Sequence, residues 1–127
     1  MSYYFSTNID KPFEKAVEQV KDALKYEGFG VLTSINVTET LKKKLDVNFR
    51  DYMILGACNP PFAYKALKAE DKIGTMLPCN VIVQDKGDVV EVAAIDPVAS
   101  MQAADNPELA DIAAKIREKL KNVIDAL

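Results

Sequence analysis

A near-continuous apolar run, Arg50–Ala57, constrains this chain more than any other stretch. Met53, Ile54, Leu55, Gly56 and Ala57 follow one another without the polar alternation of a strand that keeps one face in water. Such a run predicts an interior strand, with neighbours on both sides. The other elements must be arranged to enclose it.

Their periodicities are legible. Tyr3–Thr7, rich in aromatic and β-branched residues, predicts a first short strand. Asp10 before Lys11-Pro12 reads as a helix N-cap; Phe13, Val17, Val20 and Leu24 follow at helical spacing, and Gly28 closes the helix at C′. Gly30–Val37 alternates as a strand, and Thr38–Leu45 predicts a short helix capped by Thr38 or Thr40. Asn59-Pro60 opens a helix over Pro60–Leu67, and residues 68–77 read as a connection. Cys79–Gln84 and Val89–Ile95 form two strands around the turn Asp85-Lys86-Gly87-Asp88, the second ending at Asp96-Pro97. Asp105-Asn106-Pro107 starts a last helix carrying the stripe Leu109, Ile112, Ile116, Leu120, Val123 and Leu127. The order β-α-β-α-β-α-β-β-α predicts a two-layer α+β fold, helices against an antiparallel or mixed sheet of about five strands.

One core suffices for 127 residues of which 49% are hydrophobic, so residues 1–127 read as a single domain. A net charge of −3 with no basic stripe speaks against nucleic acid as a partner. Histidine is absent, which excludes Ser-His-Asp and Cys-His catalysis and histidine metal ligation. No segment approaches the ~18 apolar residues of a membrane span, and the N-terminus carries no secretory pattern. A cytoplasmic protein with reduced thiols and no membrane partner is the expectation.

The chemistry concentrates around two cysteines in similar wording, Ala57-Cys58-Asn59-Pro60 and Pro78-Cys79-Asn80-Val81. Cys58 falls where a strand ends and a helix begins. Unpaired N–H groups and the positive end of a helix dipole favour an anion there, a thiolate included. If the Cys79 strand runs antiparallel beside Arg50–Ala57, the two thiols meet. Three chemistries then open: a disulfide closing a loop of ~20 residues, worth about 3 kcal/mol; a dithiol cycling in redox or sulfur chemistry; or Cys58 and Cys79 as ligands of a soft metal such as Cu(I). Against them stands a plain packing role, both cysteines being small buried hydrophobes at strand ends. No Cys-x-x-Cys is present. Lys42–Lys44 read as a solvated helix face, and the pairs Asp46/Asp51 and Asp85/Asp88 as turn aspartates. Tyr52 and Tyr64 flank the cysteine motif, more as core residues than as pocket walls.

From Ile54-Leu55-Gly56-Ala57-Cys58-Asn59-Pro60 through Ile73-Gly74-Thr75-Met76-Leu77-Pro78-Cys79-Asn80-Val81-Ile82-Val83 to Asp96-Pro97, the chain resembles the widespread prokaryotic domain of unknown function 302 family. The resemblance implies a curved sheet with helices on one side, similar to a TATA-binding-protein half-fold, and a homodimer. It marks Cys58, Asn59, Pro78, Cys79 and Asn80 as a characteristic site without naming a reaction, a cofactor or an enzyme activity. Shape similarity of this sort does not imply DNA binding.

Two functions of different class follow. In the first, the region around Cys58 and Cys79 is a ligand- or thiol-reactive site for redox, sulfur or soft-metal chemistry, with Asn59 and Asn80 as orienting groups. In the second, the chain is a non-catalytic dimeric binding or assembly module in which both cysteines are structural.

Overall fold

The computed structural model describes residues 2–127. Five strands form one open sheet: β1 (Tyr4–Ile9), β2 (Gly30–Asn36), β3 (Tyr52–Cys58), β4 (Cys79–Asp85) and β5 (Val90–Ile95), in the spatial order β1-β5-β4-β3-β2. All four pairings are antiparallel, which resolves the antiparallel-or-mixed expectation. The apolar run lies inside the sheet as expected, β3 pairing with both β2 and β4.

The helices are α1 (Phe13–Tyr26), α2 (Val37–Leu45), α3 (Pro60–Ala69), α4 (Pro97–Met101) and α5 (Pro107–Asp125). Leu55, Ala57, Val81, Val83, Val92 and Ala94 point to one sheet face and join Ala16, Val20 and Leu24 of α1 and Ile116, Leu120 and Val123 of α5 in the main core. A second, smaller cluster contains no strand residue: Ala66, Ile73, Met101, Leu109 and Ala113. Among the buried members, α5 is the one element present in both.

Several boundaries depart from expectation for definable reasons. The first strand runs to Ile9 because its ladder with β5 continues to Ile9↔Val90. Pro12, not Asp10, occupies the N-cap of α1, with no side-chain cap. Asn36 caps α2 in place of Thr38 or Thr40, its side chain accepting from the Glu39 N–H at 3.0 Å. Thr38 is used elsewhere: its hydroxyl donates to the Arg50 carbonyl at 2.8 Å and accepts from the Tyr52 N–H at 2.9 Å, pinning α2 to the start of β3. Inside the expected connection, Asp71–Met76 forms a 3₁₀ turn whose Ile73 is buried.

Asp96-Pro97 opens the unforeseen helix α4 as well as ending β5. The Asp96 carboxylate accepts from the Val98 N–H at 3.0 Å and from Arg117 Nε of α5 at 3.2 Å. Arg117 in turn lies over the Phe5 ring. Asp96→Ala removes a cap and a half-exposed ion pair together, and is expected to cost about 1–2 kcal/mol in urea unfolding. Asp96→Asn, which keeps the capping oxygen, should cost less. Equal losses for the two variants would refute the capping role.

Among the described residues, no helix is long and apolar enough to cross a membrane.

Candidate functional site

The end of α1 sets one wall of the cysteine region. Gly28 takes φ +88°, the Gly28 N–H bonds the Lys25 carbonyl at 3.0 Å, and the Phe29 N–H bonds the Leu24 carbonyl at 2.9 Å. This is a Schellman termination, with glycine at the left-handed position. Phe29 is thereby delivered into the core.

Asn59 sits at the N-cap of α3, as expected, but its side chain does not cap the helix. Its amide reaches across to donate to the Glu27 carbonyl at 3.4 Å, tying the start of α3 to the end of α1. The expected support for a Cys58 anion is thinner than the spacing implies. Pro60 and Pro61 fill the first two helical positions and carry no N–H, so two of the four first-turn donors do not exist.

The antiparallel condition for bringing the thiols together is met. Cys79 lies directly across from Ala57, the residue before Cys58. Cys58, Asn59, Pro78 and Cys79 line one cavity of about 30 Å³, with Phe29, Ala57, Ala63, Leu77 and Ile116 completing its walls. Space of that size admits a water or two. Both cysteines are free thiols, Cys58 half-buried and Cys79 buried. Among the described residues no group of three or more Cys, Asp or Glu is placed to hold a metal.

Burial pushes the Cys79 thiol up to about 11, and the neighbouring Cys58 adds to the rise. The native protein therefore keeps a proton on Cys79 over a range in which the unfolded chain, near its ordinary 9.0, has lost it. Between about pH 9 and 11 the unfolded state binds fewer protons, and stability falls as pH rises. The loss through that window should approach about 2 kcal/mol. Cys79→Ala should remove this part of the alkaline slope, which urea midpoints from pH 8 to 11 would read. An unchanged slope would exclude Cys79 as its source.

The fifth residue of the expected site, Asn80, is not with the thiols. Strand alternation turns it to the opposite sheet face, where it is exposed and lines a different cavity. That face carries three cross-strand rows. The first holds Tyr4 opposite Ile95, and Asn80 with Gly56 and Thr33. The second is Ser6, Ala93, Ile82, Ile54 and Ile35, and the third Asn8, Glu91, Gln84 and Tyr52. Between the tyrosines lies a trough of about 380 Å³ over Ala93 and Ile82. Gln84 is nearly buried and organises the third row: Arg50 Nε donates to its Oε1 at 2.8 Å, and its Nε2 donates to Glu91 at 2.8 Å.

Sequence reasoning missed this trough. The available signal was the aliphatic character of Ile54 and Ile82, outward positions where a wet sheet face carries polar residues. Tyr52 lines it as a wall residue, whereas Tyr64 is largely exposed on α3 and takes part in neither core nor trough.

No curated protein matches the chain significantly. The crystal structure of an uncharacterized conserved DUF302 protein from Bacillus stearothermophilus is similar over 98% of both chains, with a TM-score of 0.92 and 28% sequence identity. The family model described as domain of unknown function DUF302 matches residues 5–127, and so takes in both cysteine blocks, all five strands but for Tyr4, and every helix. The chain belongs to the DUF302 family.

Proposed function

We propose that the chain is a non-catalytic binding module that meets its ligand on the open sheet face, with Cys58 and Cys79 as packing residues. The contrast between the two cavities carries this reading. The trough, about 380 Å³, falls in the range of small-molecule pockets, whereas the thiol cavity, about 30 Å³, does not. A Cys79 thiol held near 11 is protonated at neutral pH, which makes it a poor nucleophile and a poor leaving group in exchange. Two free cysteines agree with a reducing, cytoplasmic setting. The one charged residue lining the trough is Glu91, which disfavours nucleic acid there.

One observation favours the thiol reading: both cysteines line a single cavity, with Cys58 half-exposed. Alkylation of the reduced protein, read by peptide mass spectrometry, separates the two. For the module, Cys79 labels only in denaturant, and Cys58→Ser and Cys79→Ser change stability alone. Rapid labelling of native Cys79, or a soft metal or sulfur species retained by the wild type and lost from the variants, would overturn it.

The expected homodimer is proposed to join through the edge of β2. This seven-residue strand has one irregularity at Leu32 between Val31 and Thr33 and exposes Leu32 and Ile35, and it carries no charge and no proline. An edge without those safeguards pairs readily with its own copy. Sedimentation should give a dimer, and the double variant Leu32→Lys/Ile35→Lys a monomer. A monomeric wild type would rule the dimer out.

A further inference from the structure

We infer that the trough on the open sheet face takes a flat aromatic cation, a protonated amine on an apolar ring system, with Glu91 as its counter-charge. This rests on the module reading and names the ligand class for the same face.

The carboxylate carries the argument. Glu91 is half-buried in the third row, and all four ion pairs among the described residues form without it. The Glu91 side chain lines the trough with one oxygen bonded to Gln84 and the other open to solvent, a counter-charge available to a cation that enters there. Arg50 reaches Glu91 only through Gln84: its Nε donates to Gln84 Oε1, and its guanidinium lies 4.4 Å from the Phe49 ring centroid and 5.8 Å from that of Tyr52. Gln84 donates to Glu91 Oε1 and so fixes the carboxylate, while the second oxygen has no protein donor among the described residues.

The walls fit the rest of such a ligand. Tyr4 and Tyr52 stand at opposite ends of the trough as aromatic walls against which a planar ring can pack, the Tyr52 ring already carrying the Arg50 guanidinium at 5.8 Å. The floor between them is Ala93 and Ile82, small enough at Ala93 to let a planar group lie against the sheet. Asn80 stands on the wall with an amide that makes no side-chain hydrogen bond among the described residues, leaving it free to meet a polar substituent. Its position on the open face, separate from the thiols, is then a binding role.

Tryptamine, indole and indole-3-acetate share one ring and differ in charge, so they serve as cationic, neutral and anionic probes. Amide NMR titration of the full chain should give saturable shifts in β4 and β5 with tryptamine, weaker ones with indole and none with indole-3-acetate. Glu91→Gln, which keeps the acceptor for Gln84, should weaken tryptamine by about tenfold and leave indole unchanged. Equal binding of all three probes, or tryptamine binding unaltered in Glu91→Gln, would overturn the charge assignment while leaving the module reading in place. An absence of any trough shift with tryptamine overturns the inference as well. If the same amides then respond to protein concentration, a second copy occupies the face; if they respond to nothing, the module reading falls too.

Discussion

Gly56→Ala should destabilise the protein by about 2–3 kcal/mol, far more than a methyl group added to a strand ordinarily costs. A Cβ at this position would stand 2.7 Å from Pro78 Cγ and closer still to the Thr33 hydroxyl. Thr33 can rotate away, but the Pro78 ring is held by its own backbone. The glycine is therefore a gap through which the residue before β4 approaches the middle of β3. A double-mutant cycle divides the cost: adding Thr33→Ala should relieve part of it, and the remainder belongs to Pro78. Because Pro78 also walls the thiol cavity, its displacement should speed alkylation of Cys79 next to it. A loss below about 0.5 kcal/mol would mean that both neighbours move freely and that the close approach is incidental.

Leu120→Ala is expected to cost about 3 kcal/mol, on the order of 10 °C in Tm. Leu120 is fully buried on the inner face of α5, in the cluster that joins the helix to β3, β4 and β5. Removing its branch loses the transfer free energy of three carbons and leaves a void that strands on one side and a helix on the other can only partly close. Leu45→Ala is the control, since that side chain is 66% exposed at the end of α2 and should stay within about 0.5 kcal/mol. Urea unfolding at constant slope would separate a true stability loss from a change in the unfolded ensemble. Equal effects at the two leucines would contradict the assignment of the core.

What the sequence disclosed and what it hid follow from the range of the forces involved. Patterns internal to one element were legible: the stripe on α5, the apolar run of β3, the Gly28 termination and the Asp85–Asp88 turn. The antiparallel meeting of the two cysteine blocks was legible as a condition, and the β3–β4 register fulfils it. Choices between competing hydrogen bonds were not. Asn59, Thr38 and Asp96 are all good cap residues, yet Asn59 bonds Glu27 across 32 residues, Thr38 bonds β3, and only Asp96 caps. Helix α4 is hidden because Asp96-Pro97 reads as a stop at the end of a strand, although the same Asx-Pro wording starts α3 and α5. Asn80 reads as a neighbour of the thiols because adjacency in sequence hides the two-residue alternation that sends it to the face opposite Cys79.

The division of the core into two clusters sets an order of opening. The smaller cluster is built from α3, the 3₁₀ turn, α4 and the first half of α5, and no strand depends on it. Its few side chains can part while the sheet, α1 and the second half of α5 stay joined. Amides of residues 97–113 should then exchange with solvent through a sub-global fluctuation, at a free energy below that of Val81, Val83 and Val92. Helix α5 would behave as two cooperative halves within one continuous hydrogen-bonded rod, its N-terminal half released first and its C-terminal half retained until the whole protein unfolds.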